Sequence, residues 1–353
     1  MLLSPLQVRH AWLARQGLNL LPTKSDAMRA MVAVQTQYAQ SLGQALAARS
    51  EAPEAEFETE GLQPDGCLVK SWTLRGTVHT HTREDFALVR SAVGESRYRR
   101  FRDSMQRHLG MRDAEYEAME GEILAALDAG PLTRKELHRQ VPGLSRVPWT
   151  GWGADVKGLA YRGQVSFIGT GTEQRFARLR DVPQVPEALS RLARRYFLGY
   201  GPATVQDFRF WTGAPAKDIA KAVEAIRHEL KAVHMEGHKA ARYLVGDLEE
   251  TEPRPVSLLA KFDPLLMGFF HRFPLLEPAQ FPRVFRIAGQ VEAVLLIRGE
   301  PRGTWRQSRL RDRLAVRMDP WGRIRRAESK AIEAEAARLA EAYGLSDIEL
   351  TIG

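Results

Sequence analysis

The stretch EALSRLARRYFLGYGPATVQDFRFWTGAPAKDIAKAVEAIRHELKAVHMEGHKAARYLV, residues 187–245, decides how the whole chain is read. Residues 187–199 carry helical spacing. Thr204 is placed to cap a short helix running through Trp211, because its hydroxyl can accept from an orphan amide of the first turn. Gly213 supplies a turn, and AKDIAKAVEAIRHEL follows as a longer helix. AVHME and ARYLV then alternate on either side of Gly237, which reads as a hairpin. Helix, helix-turn-helix, hairpin is the order of a winged helix.

The same order recurs upstream. EYEAMEGEILAALDAG is helical and stops at Gly130. LTRKELHRQV starts at Thr133, and Glu136 three residues on completes a capping box. DVKGLAYRG is a third helix, and QVSFIGTGTEQRFARL is a hairpin with Gly169 and Gly171 at its tip. A looser copy covers residues 1–82, with helices near 5–17, 25–34 and 38–50 and paired strands in CLVKSWTLRGTVHT. The tail differs. PRVFRIAGQVEAVLLIRGEPRGTWRQSRLRDRLAVRM alternates, is broken at Gly289, Gly299 and Gly303, and reads as a small antiparallel sheet or barrel. AESKAIEAEAARLAEAYG is a closing helix.

The expected fold class is therefore α+β: three tandem winged-helix units, a small antiparallel β-barrel and a C-terminal helix. The expected boundaries are 1–82 for the first unit, 83–112 for an Arg-rich connecting helix, 113–183 and 184–250 for the next two units, and 255–353 for the barrel with its helix. A chain of 353 residues is long enough for several such units.

Lysine and arginine number 51 against 43 acidic residues, a net charge of +8. That excess fits a polyanionic partner without requiring one. The single cysteine, Cys67, can form no internal disulfide and rules out a multi-cysteine zinc cluster. A reducing compartment follows, and the cytoplasm is the expected location. No apolar run approaches the roughly 20 residues of a spanning helix. MLLSPLQVRHAWLARQGL reads as an amphipathic helix, not a signal peptide.

Several groups could carry chemistry. From Arg302 to Arg326 there are nine arginines against Asp312 and Asp319, with Trp305 and Trp321 among them. Arg302, Arg306, Arg309 and Trp305 are the expected polyanion contacts there, since the guanidinium fork suits phosphate. Arg97, Arg99, Arg100, Arg102 and Arg107 crowd the connecting helix. In RGTVHTHTRED, Thr77, His79 and His81 alternate and would share one strand face. No third strong ligand stands beside the histidines, so no metal is expected. Asp263 precedes a proline. It could act as a general base or stabilise a developing cation, but capping the next turn is the commoner role of Asp-Pro. Gln35 and Gln37 flank Thr36 in an apolar setting. Neither can be a general base at neutral pH, but an amide can donate to and accept from one water. On a regular helix the two would point apart, so one shared site requires the helix to end near Thr36.

Five segments, in order, resemble the AlkZ/YcaQ family of winged-helix DNA glycosylases: VQTQ at 34–37, SWTLRGTVH at 71–79, YGPATVQDF at 200–208, FDPLLMG at 262–268 and GEPRGTW at 299–305. The resemblance implies winged helices wrapped round double-stranded DNA. It implies monofunctional hydrolysis of N7-alkylated purines in base excision repair, and the unhooking of interstrand crosslinks. The family signature, Gln–aliphatic–Gln or Asp, falls on Gln35 and Gln37, which would position the water. A glutamine at the second position marks the AlkZ-like branch. Thr36 departs from the pattern, being polar where an aliphatic is usual. The Thr-x-His motif falls on Thr77 and His79, with Arg75 beside it, as DNA contacts. Gln35, Gln37 and Asp263 form the expected catalytic set. No cofactor, membrane or obligate protein partner is expected. The chain would act as a monomer in the cytoplasm, associated with the nucleoid. The alternative is a non-catalytic winged-helix regulator, whose DNA binding would survive loss of both glutamines.

Overall fold

A computed structural model describes residues 1–51, 55–63, 65–147, 153, 155–169, 174–248 and 251–353. The glycine tip of the second expected hairpin lies partly outside them. The strands are β1 (Leu2–Leu3), β2 (Val34–Gln35), β3 (Leu68–Trp72), β4 (Val78–Thr82), β5 (Val165–Ile168), β6 (Arg175–Arg178), β7 (Lys231–Met235), β8 (Arg242–Leu244), β9 (Val256–Leu259), β10 (Val294–Ile297), β11 (Glu300–Arg309), β12 (Arg313–Pro320) and β13 (Asp347–Ile352). They make three sheets, of order β1-β7-β8, β2-β4-β3-β5-β6 and β13-β12-β11-β10-β9.

The segment read first folds as expected locally. Helices span Ala188–Gly199, Val205–Thr212 and Ala216–Ala225, and β7 pairs with β8. Thr204 caps its helix by accepting from the Asp207 amide, and the Asp207 carboxylate accepts from the Thr204 amide in return. Gly213 ends the helix at φ 65°, a left-handed conformation that costs glycine little. The Thr133–Glu136 capping box also forms. The chain start adds a feature absent from the pattern: β1 pairs in parallel with β7.

The hairpins β3–β4 and β5–β6 do not stand apart. They merge through Lys70 opposite Phe167 into one five-stranded sheet, edged by β2. The helix before β2 spans Lys24–Met31 and is stopped by Val32, at φ 63°. Val34 and Gln35 then pair with Thr80 and His79. A 27-residue helix, Arg83–Leu109, runs from the end of β4, capped by Thr82. The largest apolar core draws on residues from Leu3 to Leu296, including Trp12, Tyr196, Tyr200, Phe208 and Phe269.

The expected barrel is an open sheet. β9 to β12 are antiparallel, and β13 joins β12 in parallel. The Arg326–Ala342 helix lays Ile332, Ala336, Leu339 and Ala340 over Val256, Leu258, Leu295 and Val316. A sheet covered by a helix on one face has buried that face already and has no need to curl shut. Among the described residues no helix is long and apolar enough to cross a membrane.

Candidate active site

Gln35 is the last residue of β2, and Thr36 continues the ladder by donating its amide to the Val78 carbonyl at 2.9 Å. The backbone here is extended, so residues two apart share a side. Gln35 and Gln37 therefore meet: Nε2 of Gln35 donates to Oε1 of Gln37 at 2.6 Å. Gln35 is buried and Gln37 exposed. The Thr36 hydroxyl pairs with that of Thr80 at 3.0 Å, buried, and Thr36 borders the same cleft as Gln37.

Arg75 fixes the polarity of this pair. It sits at φ 52° in a tight turn between β3 and β4. One guanidinium nitrogen donates to Oε1 of Gln35 at 3.1 Å and another to the Trp211 carbonyl at 3.0 Å. Arginine has no acceptor, so the oxygen of Gln35 must face it. The nitrogen of Gln35 then faces Gln37, whose own nitrogen is left to point onward. Burial pulls the Arg75 pKa down to about 10, and Arg97 and Arg272 add to this, so it stays charged at neutral pH. Arg75, expected as a DNA contact, is committed to these two protein acceptors.

Gln37 lines a cleft of about 660 Å³ at the seam of the merged sheet, with Thr77, Lys70, Lys157, Trp72, Phe167 and Phe176 among its walls. Among the described residues that line it there is no carboxylate. The Lys70 ammonium donates to Gln174 at 2.8 Å and lies 5.9 Å from the centre of the Phe167 ring. Burial lowers its pKa, partly offset by Glu58. Lys70 and Trp72 alternate along β3, a pattern that could have marked them as one wall. Sequence reading did not single out either.

Thr77 is half-buried beside Gln37, and its hydroxyl donates to the Leu74 carbonyl. His79 is buried, and its Nδ1 meets the Thr77 carbonyl at 3.0 Å. A carbonyl only accepts, so Nδ1 carries the proton. Burial, with Arg75 and His81 adjacent, holds its pKa well below the usual histidine range. His81 is likewise spent between the Val32 carbonyl and the Thr73 hydroxyl.

Two expected site residues take other places. Asp263 has no exposed surface. Its oxygens meet Arg49 at 2.6 and 3.0 Å and accept from the Ala260 and Leu265 amides. It caps the Pro264–Met267 turn and pairs with a buried cation, a staple between distant segments. Trp305 is also buried, its indole donating to the Leu259 carbonyl at 2.8 Å. Strand β11 alternates inward and outward, and Trp305 falls inward while Arg306 falls outward. Trp305 belongs to the core of the C-terminal sheet. Arg306 is exposed and paired with Asp319, Arg302 reaches Glu328 at 3.4 Å, and Arg309 is exposed at the strand end.

Gln37 thus opens onto a cleft with cationic and aromatic walls, and among the described residues that line it there is no carboxylate. The family model described as DNA glycosylase AlkZ-like matches residues 28–342. The chain belongs to the AlkZ-like DNA glycosylase family and is a DNA glycosylase. It is similar to the interstrand DNA cross-link repair glycosylase of Streptomyces sahachiroi, at 27% identity over 94% of each chain. It also superposes on the solved structure of Streptomyces sahachiroi DNA glycosylase AlkZ with a TM-score of 0.82, at 26% identity and full coverage of both chains. The regulator reading does not survive this membership.

Proposed function

We propose that the enzyme hydrolyses the N-glycosidic bond of cationic N7-alkylated purines in double-stranded DNA, using water held by Gln37 and oriented through Gln35 and Arg75. The observation that carries this is the one-way chain of donors from Arg75 to Gln35 to Gln37, ending at a cleft. Gln37 Oε1 keeps one lone pair, and its Nε2 keeps two donors, enough to fix a water by accepting and donating at once. Amides do not take a proton at neutral pH, and no carboxylate among the described residues lines the cleft. Such a site supplies position more than acid or base, which suffices only where the leaving group is already activated. Alkylation at N7 does this by making the base a cation that departs neutral.

The relative's name supports extending the substrates to interstrand crosslinks, whose attachment at purine N7 would leave the same cationic base. Thr77 and His79 are proposed to border the lesion, and Arg302, Arg306 and Arg309 to meet the phosphates. The helix-helix-hairpin order at 188–244 supports reading the chain as tandem winged helices round the duplex. A cytoplasmic, nucleoid-bound monomer completes the reading.

The test is release of 7-methylguanine from a duplex carrying it at one position, under single turnover. Wild type should exceed the spontaneous rate, and Gln37→Ala should not. Equal rates for the two would overturn the assignment of the glutamines, and no release by wild type would overturn the substrate class.

A further inference from the structure

Ile287 is 95% exposed, far beyond any other large apolar side chain described. Single exposed aliphatics are common on protein surfaces and need no purpose. Three features set this one apart. First, it stands at the head of a built turn. Phe285 bridges Val291, the Arg286 amide donates to the Gln290 carbonyl at 2.8 Å, and the Glu292 amide to the Val284 carbonyl at 2.9 Å. Ala288 and Gly289 both take left-handed backbone, at φ 61° and 71°. An alanine is held there only if its surroundings enforce it. The footing is rigid, with Val284 and Val291 buried.

Second, the turn is tied to the active site. Tyr38, the residue after Gln37, donates its hydroxyl to Oε1 of Gln290. Lys261 lies 4.9 Å from the Tyr38 ring and 3.7 Å from Glu292, which also reaches Arg286 at 3.8 Å. Third, the flank is basic, with Arg283 and Arg286 exposed on either side of Phe285. A rigid, projecting aliphatic with cations beside it has the properties of a side chain that enters a base stack.

We propose that Ile287 is a wedge that inserts between base pairs beside the lesion and unstacks the damaged nucleotide toward Gln37. The proposal rests on the DNA glycosylase reading and adds how the duplex is opened. Phosphates would meet Arg283 and Arg286, while Ile287 fills the space between separated bases. The turn's anchorage to Tyr38 then sets where the lesion lies relative to Gln37.

The test uses the full chain and a duplex with 2-aminopurine next to 7-methylguanine. Wild type should raise 2-aminopurine fluorescence on binding, which reports unstacking whether or not the base is released. Ile287→Ala should abolish that rise and slow single-turnover release by about tenfold, while Ile287→Leu keeps both. A lesion placed opposite an abasic site, already poorly stacked, should lose most of the dependence on Ile287. Thermal melting should not change in either variant, because the side chain packs on nothing. Wild-type fluorescence and rate in Ile287→Ala would overturn the proposal, as would base release by wild type without any fluorescence rise. If wild type shows the fluorescence rise but releases no base, the wedge stands and the substrate assignment falls.

Discussion

Gln35 donates a hydrogen bond to Gln37 at 2.6 Å, and this bond has only one possible direction because Arg75 occupies the oxygen of Gln35. Without Arg75 either amide could rotate by half a turn at little cost, and Gln37 would present its two ends to water at random. Arg75 is thus a positioning residue. Arg75→Ala should lower kcat by about 10–100-fold, the equivalent of one charge-assisted bond. KM should move little, since the guanidinium spends its donors on Gln35 and Trp211. Arg75→Lys should recover only part, because an ammonium lacks the fork that spans both acceptors. A loss confined to KM would show that Arg75 binds DNA instead.

Thr36 borders the cleft beside Gln37, but its hydroxyl is already satisfied by Thr80 at 3.0 Å. Its hydroxyl is a structural substitute for the aliphatic residue expected there. Thr36→Val should cost about 1 kcal/mol of stability by leaving the Thr80 hydroxyl unpaired. The double variant with Thr80→Val should regain most of it. Neither should alter which alkyl group is released. A changed ratio of 7-methylguanine to bulkier adducts in Thr36→Val, measured on stably folded enzyme, would show that the hydroxyl acts on the lesion.

Local chemistry made much of this fold legible. The caps at Thr133 and Thr204, the stop at Gly213 and the three hairpins each depend on a few neighbouring residues, and each was readable. What could not be read depends on partners far along the chain. Val34–Gln35 is a strand only because β4 offers it a ladder, and nothing in two residues announces that. β13 was missed because a parallel edge strand is defined by β12 and the helix between them, and its absence turned an open sheet into an expected barrel. Asp263 looked available until Arg49, 214 residues away, took both its oxygens. The glutamines were found by their setting. The reason they converge, extended backbone after a helix stopped at Val32, was stated only as a requirement.

The Arg49–Asp263 pair joins the end of the Ser41–Ala47 helix region to the Pro264 turn with both side chains fully buried. Asp263→Ala strands a buried guanidinium and two amides, and should destabilise by about 3–5 kcal/mol. Replacing both residues by apolar ones, Asp263→Leu with Arg49→Met, should restore part of this; the Ala260 and Leu265 amides would still lack an acceptor. The rate per folded molecule in Asp263→Asn should remain near wild type. A fall of a hundredfold or more with unchanged melting would instead make Asp263 a catalytic carboxylate.

Two pH profiles should separate chemistry from folding. No group proposed to act on the lesion titrates near neutrality: the glutamines do not ionise, Arg75 is charged up to about 10, and His79 is held neutral. Single-turnover release should therefore be flat from about pH 6 to 9, within the limit of unfolding at the acid end. Stability should not be flat. His81 is pushed down to about 4 by burial, and His79 is lowered as well. The unfolded chain takes up protons near the ordinary value of 6.5, while the folded chain refuses them. Stability is thus fully present above 6.5 and is lost as the pH falls from there toward 4, at about 1.4 kcal/mol per pH unit for each histidine. His81→Gln should flatten that slope by roughly one histidine's share, measured by denaturant melts at pH 7 and pH 5. Its Nδ1–H donates to Val32 and its Nε2 accepts from Thr73. Protonation would put a donor where the Thr73 hydroxyl now donates, so that contact, just past the end of β3, would loosen first while the bond to Val32 persists. A bell-shaped release rate centred near neutrality would mean that a titrating group other than these side chains takes part in the chemistry.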